Sequence, residues 1–158
     1  MIRNTTKNQK LCWLIFILYL VGLTYFMFFA ENLGRGGQDE EAVSRGYNLV
    51  PFLEIKRFII YRDILGIKAV ILNIFGNIIA FIPCGFLLPV ISRRCKLMAN
   101  SILVGFFISL LIEMTQFVFR VGSFDVDDMI LNTLGAAIGA VMYTLVQRYR
   151  IKRKKRYL

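Results

Sequence analysis

The sequence predicts an all-α integral membrane protein, with four transmembrane helices and an interfacial amphipathic segment between the first and second. Three observations carry that prediction. Hydrophobic residues make up 57% of the chain and mean hydropathy is +0.60, too apolar for a soluble domain. Four windows, about 11–30, 69–92, 97–119 and 129–147, reach the roughly 20 residues that a helix needs to cross the hydrocarbon core. The net charge of +10 falls mostly outside those windows. The chain therefore divides into a cytoplasmic N-terminus (1–10), a membrane domain (11–147) and a basic cytoplasmic tail (148–158).

The first window, LCWLIFILYLVGLTYFMFFA, holds no charge. Arg3, Lys7 and Lys10 precede it, as in a signal peptide, but the apolar run is too long for an h-region and no A-x-A-like cleavage site follows. A retained helix is expected. Orientation is read from lysine and arginine in short loops. The N-terminus, Arg93, Arg94 and Lys96 in the second connection, and the tail RYRIKRKKR carry basic residues with no acidic one. Both termini are therefore expected in the cytoplasm, with residues 31–68 and 120–128 outside. A tail placed directly after a span is a topology signal and an anionic-lipid contact, so no nucleic-acid partner is expected.

Between the first two spans, NLGRGGQDEEAVSRGY (32–47) reads as a flexible linker. NLVPFLEIKRFIIYRDILGI (48–67) alternates Phe52, Ile55 and Ile59 with charged residues. This suits an interfacial helix started by Asn48 and Pro51. Cys12, Cys84 and Cys95 offer no extracellular pair for a disulfide. The chain has no histidine, which excludes a Ser-His triad and a histidine-ligated metal.

The polar residues inside the spans carry the chemistry. Asn73 and Asn77 lie four apart, about 8 and 13 Å into the second span, and Phe81 and Gly85 continue their stripe. Glu113, Gln116 and Arg120 share a face of the third span, with Glu113 and Arg120 about 10 Å apart along the axis. On the fourth, Asp128, Asn132, Gly135 and Gly139 align. Three polar faces thus meet in the outer half of the membrane. A charge in hydrocarbon costs at least about 2.5–3.5 kcal/mol, so these groups are expected to face a pocket inside the bundle. Gly135 and Gly139 form a small-xxx-small patch for close helix approach. Pro83 and Pro89 are expected to break or kink the second helix beside the pocket.

The stretches NLVPF (48–52), NIFGNIIAFIPCGFLLP (73–89), EMTQ (113–116) and RVGSFDVDDMILNTLGAAIG (120–139) resemble the VanZ-like family of small bacterial membrane proteins. The resemblance covers roughly residues 48–143. It implies a four-helix membrane domain and, for some members, low-level glycopeptide tolerance that affects teicoplanin more than vancomycin. Carried over by position, the polar residues of the family are Asn73, Asn77, Glu113, Gln116, Arg120, Asp125, Asp127, Asp128 and Asn132, and all are present.

Three mechanisms stay open at this level. In the first, the pocket binds a lipid-anchored ligand such as a lipoglycopeptide or a lipid-linked cell-wall precursor. In the second, the chain is an enzyme on a lipid or envelope substrate, with Glu113 or Asp128 as acid or base, Arg120 on an anionic group, and a divalent cation held by Asp125, Asp127 and Asp128. In the third it is an ion-coupled carrier that dimerises through a face such as Gly135–Gly139. Membrane lipids are partners in each.

Overall fold

The computed structural model describes residues 7–29, 46–119 and 122–156. Most of the expected linker, residues 32–45, lies outside them. The elements in chain order are α1 (Lys7–Phe29), β1 (Tyr47–Asn48), α2 (Leu53–Ile60), α3 (Arg62–Leu65), α4 (Ile67–Ile91), a 3-10 turn (Arg94–Lys96), α5 (Met98–Phe119), β2 (Phe124–Asp125) and α6 (Val126–Arg156). Among the described residues α1, α4, α5 and α6 are long and apolar enough to cross a membrane, which makes the chain an all-α membrane protein with four spanning helices. A spanning segment must satisfy its own backbone, and helices do so without a partner.

α4 (Ile67–Ile91) and α5 (Met98–Phe119) lie within two residues of the expected windows, and α1 is described as helix from Lys7, four residues before the expected window. α6 starts at Val126 and continues through the basic tail to Arg156, so the expected boundary at residue 147 is not a helix end.

The 48–67 segment differs more. In place of one helix begun by Asn48, Asn48 sits in β1 and the helical turns come as two pieces, parted at Tyr61 and ended by Gly66 at φ 83°. The Asn48 side chain folds back to accept the Val50 amide at 3.1 Å. Here the asparagine side chain closes a local turn instead of capping a helix.

α4 also runs on through Pro83 and Pro89 where a break was an alternative. Pro83 has no N–H for the Ile79 carbonyl. Next to that gap, the Tyr19 hydroxyl of α1 donates to the Ala80 carbonyl at 2.7 Å, so a neighbouring helix supports the backbone there.

The bundle is organised by α4 and α6, which run parallel. Gly135 faces the Ile78 carbonyl, Gly139 faces the Ile82 carbonyl and Tyr143 meets Phe86, so the contact advances four residues at a time on both helices. A Cβ on Gly135 or Gly139 would stand 2.1 Å from a carbonyl oxygen, and one on Gly85 would stand 1.9 Å from the Ala136 oxygen. The small-xxx-small patch is therefore filled by α4 of the same chain and is not free for dimerisation as the carrier mechanism required. α5 packs antiparallel from the other side, with Gly105 against the Ala136 methyl. In lipid, helices gain no hydrophobic drive to associate, and close packing of small residues takes its place.

Around this contact lie Phe81, Cys84 and Leu88 of α4, Ile112 of α5, and Phe16, Leu23 and Met27 of α1. The three cysteines are free, as expected.

Replacing Gly135 with alanine puts a methyl into the Ile78 backbone, and neither helix can yield without losing the crossing. Overpacking of this kind costs about 1–3 kcal/mol. Gly135→Ala is expected to lower the unfolding temperature of the purified chain in detergent, whereas Gly76→Ala, with nothing within 4 Å of the new methyl, is expected to leave it unchanged or raise it.

Candidate functional site

The site begins where the two short strands meet. β1 and β2 pair in parallel, Tyr47 with Phe124 and Asn48 with Asp125, which ties the segment after α1 to the loop before α6. The end of α1, the start of α2, the end of α5 and the start of α6 converge with both strands at this end of the bundle.

Asp127 is wholly buried and holds the assembly together. One of its carboxylate oxygens accepts the Phe52 amide, and the other accepts the amides of Glu54 at 2.8 Å and Ile55 at 3.1 Å. Those are the free donors at the start of α2, whose own first residues supply no side-chain cap. A carboxylate there satisfies orphan N–H groups and meets the positive end of the helix. Phe52 takes a left-handed backbone, φ 65°, which turns its amide toward Asp127.

Asp125 lies beside it. Its Oδ1 accepts the Asp127 amide at 2.8 Å and the Asn48 side-chain amide at 3.1 Å. Burial first, then the neighbouring Asp128, pushes its carboxyl up to about 7; the Asp127 amide opposes the shift, while Asp127 and Glu54 add to it.

Asp128, half-buried, accepts the side-chain amide of Asn77, so α6 is tied to α4. Glu113 of α5, 2% exposed, accepts the Asp125 amide at 3.0 Å. Asp128 and Glu113 have further partners beyond these. One turn along α5, the Gln116 side chain donates to the Met27 carbonyl of α1 at 3.0 Å.

Deeper in the bundle Asn132 donates to the Ser109 hydroxyl at 2.9 Å, and its own side-chain carbonyl is buried without a hydrogen-bond partner. Below that pair the polar seam stops. Ala136 fills the space between Gly85 and Gly105, where backbone and methyl are in contact.

Of the expected residues, hydrogen bonds join Asp125 to Asp127 and Glu113 and join Asn77 to Asp128, whereas Gln116 bonds to Met27 and Asn132 to Ser109. Asn73 is half-buried on α4 one turn before Asn77. Arg120 lies outside the described residues.

The three aspartates are brought close but not to one point. Asp127 faces the α2 amides, Asp128 faces Asn77 and Asp125 faces Asn48. Among the described residues no three His, Cys, Asp or Glu side chains converge to hold a metal ion. As catalytic candidates, Glu113 and Asp128 stand on different helices with Asp125 between them in the network.

Sequence reading missed Asn48, Ser109 and the α2 amides as members of the site. Ser109 was within reach of the pattern: Ser101, Gly105, Ser109 and Glu113 follow at four-residue steps on α5, and all are buried. The α2 amides carry no side-chain signal. Half-buried Arg57 is also near: it pairs with Glu54 at 2.9 Å and lies over Phe58 at 5.5 Å.

Four spanning helices with charged and amide side chains gathered at one end define a small polytopic α-helical membrane protein with a single-ended polar site. The chain belongs to the VanZ/LLP1 family, whose model matches residues 16–147. It is similar to Protein VanZ of Enterococcus faecium, 31% identical over 110 residues that make up 70% of this chain and 60% of that protein. The chain thus spans less than two thirds of the relative's length. No solved structure matches.

Two outcomes follow from the network. Asp127→Ala strands three amides, each worth about 1–3 kcal/mol when left unsatisfied. It is expected to free residues 47–60 from the bundle, read as faster amide hydrogen exchange in that segment while α4 and α6 stay protected. For Asp125 the folded state holds its proton more tightly than the unfolded chain, from an ordinary value of 3.8 to about 7. The stability this contributes is complete below pH 3.8 and is lost as pH rises through 7. Asp125→Asn keeps the Oδ1 acceptor and removes the charge. Its unfolding temperature is expected to exceed that of the wild type at pH 8.5, by a smaller margin at pH 5, and to meet it only below pH 3.8, checked by thermal melts from pH 8.5 down to pH 3.5.

Proposed function

We propose that the polar region at the β1–β2 end is an outward-facing pocket that engages a lipid-anchored ligand, and that through it the protein contributes to tolerance of teicoplanin-type lipoglycopeptides or to a related cell-envelope process. One observation carries the reading. Polar side chains from α4, α5 and α6 and the Asn48 turn gather at one end of a bundle that is otherwise apolar, and the packed Gly85–Ala136–Gly105 layer closes that region from below. Such a region is reached from one side of the membrane, as a ligand with a polar head and an acyl chain would require.

The basic residues at the opposite end support an orientation with both termini in the cytoplasm, which turns the polar end outward in the cell membrane. The same packed layer counts against an ion-coupled carrier, because a path across the membrane would have to pass it.

A second reading rests on Asp125. A carboxyl held near 7 suits proton transfer at neutral pH, so Asp125, with Glu113 or Asp128, is a candidate acid or base on a lipid or cell-wall precursor. Turnover of labelled precursor by the purified chain separates catalysis from binding.

Expressed in a sensitive Gram-positive host, the wild type is expected to raise the teicoplanin concentration needed for growth arrest, with a smaller change for vancomycin. Glu113→Gln, Asn77→Ala and Arg120→Ala, at equal membrane levels, are expected to return tolerance to that of the empty vector. A wild type without effect, or variants that keep the full effect, would rule out this pocket as the acting site.

A further inference from the structure

The end of the bundle opposite the polar site is strongly basic. Continuing the α4–α6 register of Ile78 with Gly135 and Phe86 with Tyr143 brings Ile91, the last residue of α4, level with Arg148. From that level α6 stays helical to Arg156, about 12 Å further. Arg148, Arg150, Lys152 and Arg153 are all exposed on this extension. At about 100° per residue they fall in two pairs, Arg148 with Lys152 and Arg150 with Arg153, on roughly opposite sides of the helix, so there is no single basic face.

The turn between α4 and α5 stands at the same level and exposes Arg93, Arg94 and Lys96. α1 adds exposed Lys10, and the neighbouring Cys12 packs against the cluster that holds Ile91 and Cys95. No Asp or Glu occurs in 64–112 or 129–158, so no carboxylate side chain lies beside these groups along α4, the turn, α5 before Glu113, or α6 after Asp128.

We infer that this end is a docking collar for anionic phospholipid headgroups, formed by the α6 extension together with the Arg93–Lys96 turn. A protein partner would favour charges on one face, whereas lipid headgroups surround a helix where it leaves the bilayer and meet charges on opposite sides alike. Basic residues at a membrane surface attract anionic lipid at about 1 kcal/mol each. This inference is independent of the ligand proposed for the opposite end.

The chain offers its own reporter. Trp13 is its single tryptophan, 43% exposed, and it stacks edge-on against Phe16 of the same core cluster. Bromine on lipid acyl chains quenches a tryptophan that the lipid touches. The full chain is reconstituted into phosphatidylcholine vesicles, and brominated phosphatidylglycerol or brominated phosphatidylcholine is titrated in. Quenching by the anionic lipid is expected to be about three- to tenfold stronger at equal mole fraction, the size of about one basic contact.

Changing Arg93, Arg94, Lys96, Arg148, Arg150, Lys152 and Arg153 to Gln together is expected to bring the two lipids to parity while the thermal melt is unchanged. If instead only Arg148→Gln, Arg150→Gln, Lys152→Gln and Arg153→Gln melt as the wild type does, that variant is read for a reduced preference. Equal quenching in the wild type, as an acidic protein partner would give, overturns the inference. So does a preference that persists in the folded variant.

Discussion

The contact between the backbones of α4 and α6 is the constraint on which the rest of this structure depends. Gly135 and Gly139 lie against carbonyls of α4, and Gly85 lies against a carbonyl of α6. No side chain stands between the two helices at those levels. Because lipid tails are as apolar as leucine, helices in a bilayer are held by such close fits and by the few polar contacts they can share. Once α4 and α6 are locked in parallel register, Asn77 falls beside Asp128 and the deeper Asn132 is left to reach across to α5.

The polar end then works as a clasp. Asp127 caps a helix that its own sequence does not cap, Asp125 holds the Asn48 turn, and Glu113 receives the backbone of the Asp125 strand. Each carboxylate has hydrogen-bond donors, which is what keeps buried charge tolerable. The stretch D-V-D-D, which suggests a metal loop when read alone, is divided among three structural partners. Among the described residues the buried Asn132 side-chain carbonyl and the Arg57 Nε remain without a hydrogen-bond partner.

The distribution of charge along the bundle is as uneven as that of the polar contacts. Carboxylates gather at the end where β1 meets β2, and exposed arginine and lysine gather where α6 leaves the bundle. The two ends of one bundle thus carry opposite chemistry: buried, hydrogen-bonded carboxylates and amides at one and exposed basic residues at the other.

Read alone, the sequence determined the number of spanning helices, their approximate limits and the faces that carry polar residues, because helix length and four-residue spacing depend only on the chain. It also pointed to Gly135 and Gly139 as a place of close approach. Only the tertiary structure decided what approaches there, since a small-residue face fits a second copy or another helix equally well until α4 is seen against it. The same holds for Asp127. Its carboxylate is satisfied by amides of residues 52–55, donors that every non-proline residue possesses and that no spacing in the sequence distinguishes.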